Sequence, residues 1–134
     1  MLFASATTHA LRALSILEPG GPLRLAKDLA AELAIPGPYL AKVLQALAQA
    51  GVLQSVRGPK GGFRLIRDPE ALTVAQIVDL LEGGEPLSGC ILGLAQCGRT
   101  HPCPMHEAWG AARKQLQERL QGICLGDLQR AVRS

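Results

Sequence analysis

Aromatic side chains are scarce in this 134-residue chain, which has only Phe3, Tyr39, Phe63 and Trp109. Proteins that grip single-stranded nucleic acid stack successive bases on such rings, so a stacking platform is excluded. Long apolar runs are missing too. No stretch of eighteen apolar residues occurs, and the Met1 end lacks the basic-then-apolar order of a secretory signal. The expectation is a soluble cytoplasmic protein with no membrane partner. There is no Cys-x-x-Cys pair, and no Ser/His/Asp or paired-carboxylate arrangement stands out. Nothing in the chain therefore suggests an enzyme.

Acidic residues are absent from one critical place. Val52 to Arg67 carries Arg57, Lys60, Arg64 and Arg67 with no Asp or Glu. The wider imbalance agrees: residues 1–67 hold eight Lys/Arg against three acids, a balance of +5, whereas residues 68–134 hold six against eight, a balance of −2. The basic half is the part suited to a polyanion.

The length fits one domain with an appendage. Leu11, Leu14 and Leu17 mark a first helix that Pro19-Gly20-Gly21-Pro22 ends, and Leu25, Leu29, Ala30 and Leu33 mark a short second one. Pro38 suits the first turn of a third, whose apolar face is Leu40, Val43, Leu44 and Leu47 before Gly51 stops it. Two short helices joined by a tight turn form a helix-turn-helix. Val52–Arg57 and Phe63–Arg67, separated by Gly58-Pro59-Lys60-Gly61-Gly62, read as a hairpin. Thr73-x-x-Gln76 opens a fourth helix as a capping box. Between Gly83 and Pro104 glycine and proline crowd out regular structure. From Pro104 a long helix follows with Met105, Trp109, Ala112, Leu116, Leu120 and Ile123 on one stripe, and a short helix from Leu125 to Val132 closes the chain. The fold expected is mainly α with a small β-hairpin: a winged helix-turn-helix region over 1–83, a cysteine-rich loop over 84–103, and a dimerisation helix with a C-terminal helix over 104–134.

A helix-turn-helix followed by a basic hairpin is a winged helix, which lays its second helix in the major groove of double-stranded DNA and its wing along phosphates or the minor groove. On the third helix the side chains left off the core stripe are Tyr39, Lys42, Gln45 and Gln49. Gln and Lys can address base edges, and Tyr a phosphate. In the wing Arg57, Lys60 and Arg64 are the candidate phosphate contacts. The plain alternative, that these are only a solvated face, is weakest for the wing, where four cations without a counter-charge repel one another.

Three of the four cysteines, Cys90, Cys97 and Cys103, fall within fourteen residues, followed by His106 in a Cys-x6-Cys-x5-Cys-x2-His spacing. A loop imposes no spacing of its own, so three thiolates on it can converge on one centre. Soft ligands of this kind favour Fe-S clusters, Zn or Cu(I). Cys124, between Ile123 and Leu125, is expected to be a small buried apolar residue, and His101 a solvated one.

Ala10-Leu11-Arg12-Ala13-Leu14, Tyr39-Leu40 and above all Gly51-Val52-Leu53-Gln54-Ser55-Val56-Arg57-Gly58-Pro59-Lys60-Gly61-Gly62-Phe63-Arg64-Leu65 resemble the IscR/NsrR-type family of bacterial winged-helix transcription regulators. The resemblance covers nearly the whole chain. It implies a homodimer, each subunit reading half of a near-palindromic operator, with the helix from Pro104 forming the seam. It also implies an iron-sulfur cluster held by Cys90, Cys97 and Cys103 with His106 as fourth ligand: 2Fe-2S is favoured for that donor set, while some relatives hold 4Fe-4S. Thr8 stands where some nitric-oxide-sensing members place a ligating acid. That argues against such a sensor and leaves neighbouring His9 as an outside candidate.

The alternative to a cluster is a zinc-stabilised or thiol-based redox-sensing DNA-binding regulator. The ligand spacing approaches that of three-cysteine, one-histidine fingers, but residues 91–105 contain no aromatic side chain with which such fingers stack RNA bases.

Overall fold

The computed structural model describes residues 3–83 and 104–133. Its elements are α1 (Ser5–Ile16), α2 (Ala26–Leu33), α3 (Gly37–Gln49), β1 (Leu53–Val56), β2 (Gly62–Leu65), α4 (Val74–Glu82), α5 (Pro104–Gly122) and α6 (Leu125–Arg133). Mostly helical with a two-stranded antiparallel hairpin, this is the winged-helix architecture. Among the described residues no helix is long and apolar enough to cross a membrane.

The main core is built from the periodic leucines. Leu14 of α1, Leu29 of α2, and Leu40, Leu44 and Leu47 of α3 are inaccessible to solvent, while Ala10 and Ala13, equally buried, are small enough to let α1 approach its neighbours closely. β1 and β2 add Leu53 and Leu65, which face each other across the ladder. Leu125 of α6 and Ile77 of α4 close the same cluster. A second cluster joins Val74 and Val78 of α4 to Leu120 of α5, with Trp109 and Leu116 partly buried beside it.

The break at Pro19-Gly20-Gly21-Pro22 does more than end α1. The Gly20 N–H donates to Leu65 O at 3.0 Å, and Arg24 and Phe63 exchange backbone hydrogen bonds at 2.9 and 2.8 Å. Segment 19–24 therefore covers the free edge of β2. A Cβ on Gly62 would lie 2.4 Å from Arg24 O, so this close approach requires glycine. The capping box forms in full: Gln76 N–H donates to Thr73 Oγ1 at 3.0 Å and Thr73 N–H to Gln76 Oε1 at 2.9 Å.

Candidate nucleic-acid interface and ligand set

α2 and α3 are joined by a turn of three residues. Ala34 leaves the helical conformation at φ 56°, ψ 45°, and the Ile35 N–H reaches back to Ala30 O at 2.9 Å. Burial of Ile35 anchors the turn in the core. α3 then presents two faces. Leu40, Val43, Leu44 and Leu47 point inward, while Tyr39, Lys42, Gln45 and Gln49 form an exposed stripe along the other side, with Tyr39 67% exposed. Neither α2 nor α3 has a side-chain cap at its N-terminus, and Pro36 occupies the N-cap of α3. The orphan N–H groups and positive dipole ends of such helices suit phosphate oxygens.

The wing is rooted on the same helix, because the Val52 N–H donates to Leu47 O at 3.0 Å. Its register pairs Gln54 with Arg64 and Val56 with Gly62. Gly61 has Val56 O 2.0 Å from where a Cβ would stand, so the tip can close only with glycine there. Arg57 and Lys60 are exposed at this tip. Arg64 differs: it is half-buried on β2, and its Nε is buried without a hydrogen-bond partner. Arg24, which the sequence did not single out, lies beside the wing and forms an ion pair with Glu32. Only the adjacent glycines hinted that another backbone passes close to this strand.

Of the proposed ligand set, Cys90, Cys97 and Cys103 lie outside the described residues. His106 stands on the exposed first turn of α5. Among the described residues no group of three or more His, Cys, Asp or Glu side chains is placed to hold a metal ion. The donor set of three thiolates and an imidazole nonetheless has the right chemistry for an iron-sulfur centre. His9 is half-buried in α1, with Nδ1 buried and unpartnered.

Cys124 departs from the apolar environment expected of it. It is half-buried, and its thiol lies 3.4 Å from both Glu70 Oε2 and Asp127 Oδ2. The reason is its place just before α6, where its own N–H donates to Asp127 Oδ2 at 3.0 Å. Arg130 bridges the two carboxylates, lying 2.7 Å from Asp127. The Arg130 hydrogen bond, aided by the Cys124 thiol, holds the Glu70 carboxyl below its usual value. The Cys124 N–H, aided by Arg130, does the same for Asp127.

A family model described as Rrf2, iron-dependent transcriptional regulator, matches residues 3–131. The chain belongs to the Rrf2 family. A putative HTH-type transcriptional regulator of Aquifex aeolicus (strain VF5) is 34% identical over 132 residues, covering 96% of this chain and 91% of that one. The HTH-type transcriptional regulator IscR of Aliivibrio salmonicida (strain LFI1238) is 32% identical over 108 residues, covering 81% of this chain and 63% of its own. Among solved structures, T. potens IscR superposes with a TM-score of 0.73 at 25% identity, covering 98% of this chain and 88% of that one. As an Rrf2 protein the chain is a DNA-binding transcription regulator and not an enzyme.

Proposed function

We propose that this Rrf2 protein is a homodimer that reads a near-palindromic operator, and that its hold on DNA is governed by an iron-sulfur cluster. The observation that carries the DNA reading is the polar stripe of α3 joined by one backbone hydrogen bond to an acid-free wing. Lys42, Gln45 and Gln49 reach base edges in the major groove, Tyr39 meets a phosphate, and Arg57, Lys60 and Arg64 follow the backbone or the adjacent minor groove. Acting on DNA puts its place of work in the bacterial cytoplasm.

Cys90, Cys97, Cys103 and His106 would hold the cluster, 2Fe-2S in preference to 4Fe-4S. The cysteine spacing and the IscR relative support this assignment. When bound, the cluster supplies a redox couple and iron that oxidant can strip. The chain does the rest. His106 ties the cysteine segment to α5, α5 packs on α4, α4 and α3 both pack on α1, and a change in that packing shifts the population of dimers whose reading helices match successive grooves.

The test is anaerobic purification, a visible spectrum with iron and sulfide analysis, and binding of loaded and stripped protein to a duplex selected from random sequence. A brown protein whose affinity for the selected duplex changes on stripping is expected. A colourless zinc protein, or one equally tight in both states, would contradict the proposal.

A further inference from the structure

Arg12 lies on the exposed side of α1. Its Nη2 donates at 2.6 Å to the carbonyl oxygen of Leu33, the last residue of α2. That carbonyl belongs to the final turn of a helix, where no intrahelical N–H remains to satisfy it and where the negative end of the macrodipole gathers. A guanidinium there makes a charge-assisted hydrogen bond, stronger than a neutral one. The next residue, Ala34, is the one non-glycine residue with positive φ among the described residues. A side chain in that region is strained, and such strain persists only where the surroundings over-determine the backbone.

From these contacts we infer that Arg12 is a positioning residue for operator reading: it fixes the α2–α3 turn, and thereby the aim of α3, without touching DNA. The inference rests on α3 being the reading helix. The turn is held on three sides: Ile35 is buried, the Ile35 N–H bonds to Ala30 O, and Arg12 ties the end of α2 to α1. Without the last tie the turn can relax its left-handed residue by rotating α3 against α1. A tilt of about 10° moves the ends of a helix of this length by about 1.5 Å, more than the distance window of a hydrogen bond to a base. Phosphate contacts by flexible lysine and arginine side chains tolerate such a shift. Base contacts do not, so the damage should fall on discrimination rather than on binding as such.

The experiment uses the full chain with a duplex selected by the wild-type protein and a scrambled duplex of the same length. Arg12→Met, which keeps the stem and removes the donor, should weaken binding to the selected duplex about tenfold, the scale of one hydrogen bond to a charged group, and leave the scrambled duplex unchanged. Arg12→Lys should recover most of the loss, since an ammonium can still reach Leu33 O; a residue that merely filled space would be rescued equally by methionine. Because Arg12 is exposed, folding should survive, and Arg12→Leu, which also lacks a donor, stands in should the methionine variant fail by circular dichroism. Equal losses on both duplexes would mean that Arg12 meets phosphate itself, and no loss on either would mean that the tie does not aim α3. Either result overturns the inference. Lys42→Ala and Gln45→Ala, run alongside, report on the reading helix independently: if neither changes discrimination, that assignment falls and this one with it.

Discussion

The hydroxyl of Thr7, wholly buried in α1, donates to Glu82 Oε2 at 2.6 Å, joining the start of the first helix to the last residue of α4. The residues are 75 positions apart, and Glu82 stands just ahead of the cysteine-bearing segment. The bond is asymmetric, because the carboxylate can turn to water and the hydroxyl cannot. Thr7→Val should therefore cost about 1 kcal/mol and Glu82→Ala, which strands a buried hydroxyl, about 1–3 kcal/mol. Urea denaturation of the two variants checks the order, and a costlier Thr7→Val would show that the hydroxyl is satisfied some other way.

Acid should loosen the junction between α6 and the loop before α4. Glu70 and Asp127 are held below their usual 4.5 and 3.8 by Arg130 and Cys124. A carboxylate with a depressed folded-state pKa contributes stability above its unfolded value and loses it as pH falls through the folded one. Both groups are exposed, so the contribution is small and weakened by salt. Between about pH 5 and pH 3, Arg130→Ala should lose less stability than the wild type, and the gap should narrow in high salt. Chemical denaturation at the two pH values measures it; parallel pH curves would rule this linkage out.

Much of this architecture can be read from spacing alone. The leucine periodicities give α1 to α3, Thr73 and Gln76 give the start of α4, and the glycine-rich turn gives the wing, because each is a local rule acting over a few residues. The contacts that assemble those pieces are not legible in the same way. Gln129 donates to Leu14 O and Leu17 O from more than a hundred residues away, Arg12 closes the end of α2, and Arg24 bridges to β2. None has a periodic signature. Cys124 shows the limit most plainly: its neighbours in sequence are apolar, but its neighbours in space are two carboxylates brought there by the turn into α6.

The two kinds of DNA contact should separate by mutation. Lys60→Ala at the wing tip should weaken specific and random duplexes alike and flatten the salt dependence by about one unit of log-log slope. Lys42→Ala and Gln45→Ala should each cost about 1–3 kcal/mol on the selected operator with little loss on random sequence. Salt titrations on both duplexes make the comparison, and an exchange of these patterns would reverse the placement of helix and wing.

The long helix should find its partner in a second copy. Leu120 is buried on its own chain, but the first turn of α5 is exposed, with Met105 45% exposed. The exposed part of this stripe should be completed by a two-fold mate. Light scattering at micromolar concentration should give twice the chain mass for the wild type and a shift toward monomer for Met105→Glu. A monomeric wild type would contradict the dimer.

Iron and sulfide content per chain after anaerobic reconstitution decides whether the chain holds a cluster. Removing one thiolate opens an iron to water and oxidant, so Cys90→Ala, Cys97→Ala and Cys103→Ala should each fail to keep a stable cluster. Cys124→Ala, whose thiol is engaged by Glu70 and Asp127, should load like the wild type. His106→Ala should hold a more labile one with an altered spectrum. Full loading in any of the first three variants, or a wild-type chain that takes up zinc and no sulfide, would contradict the assignment.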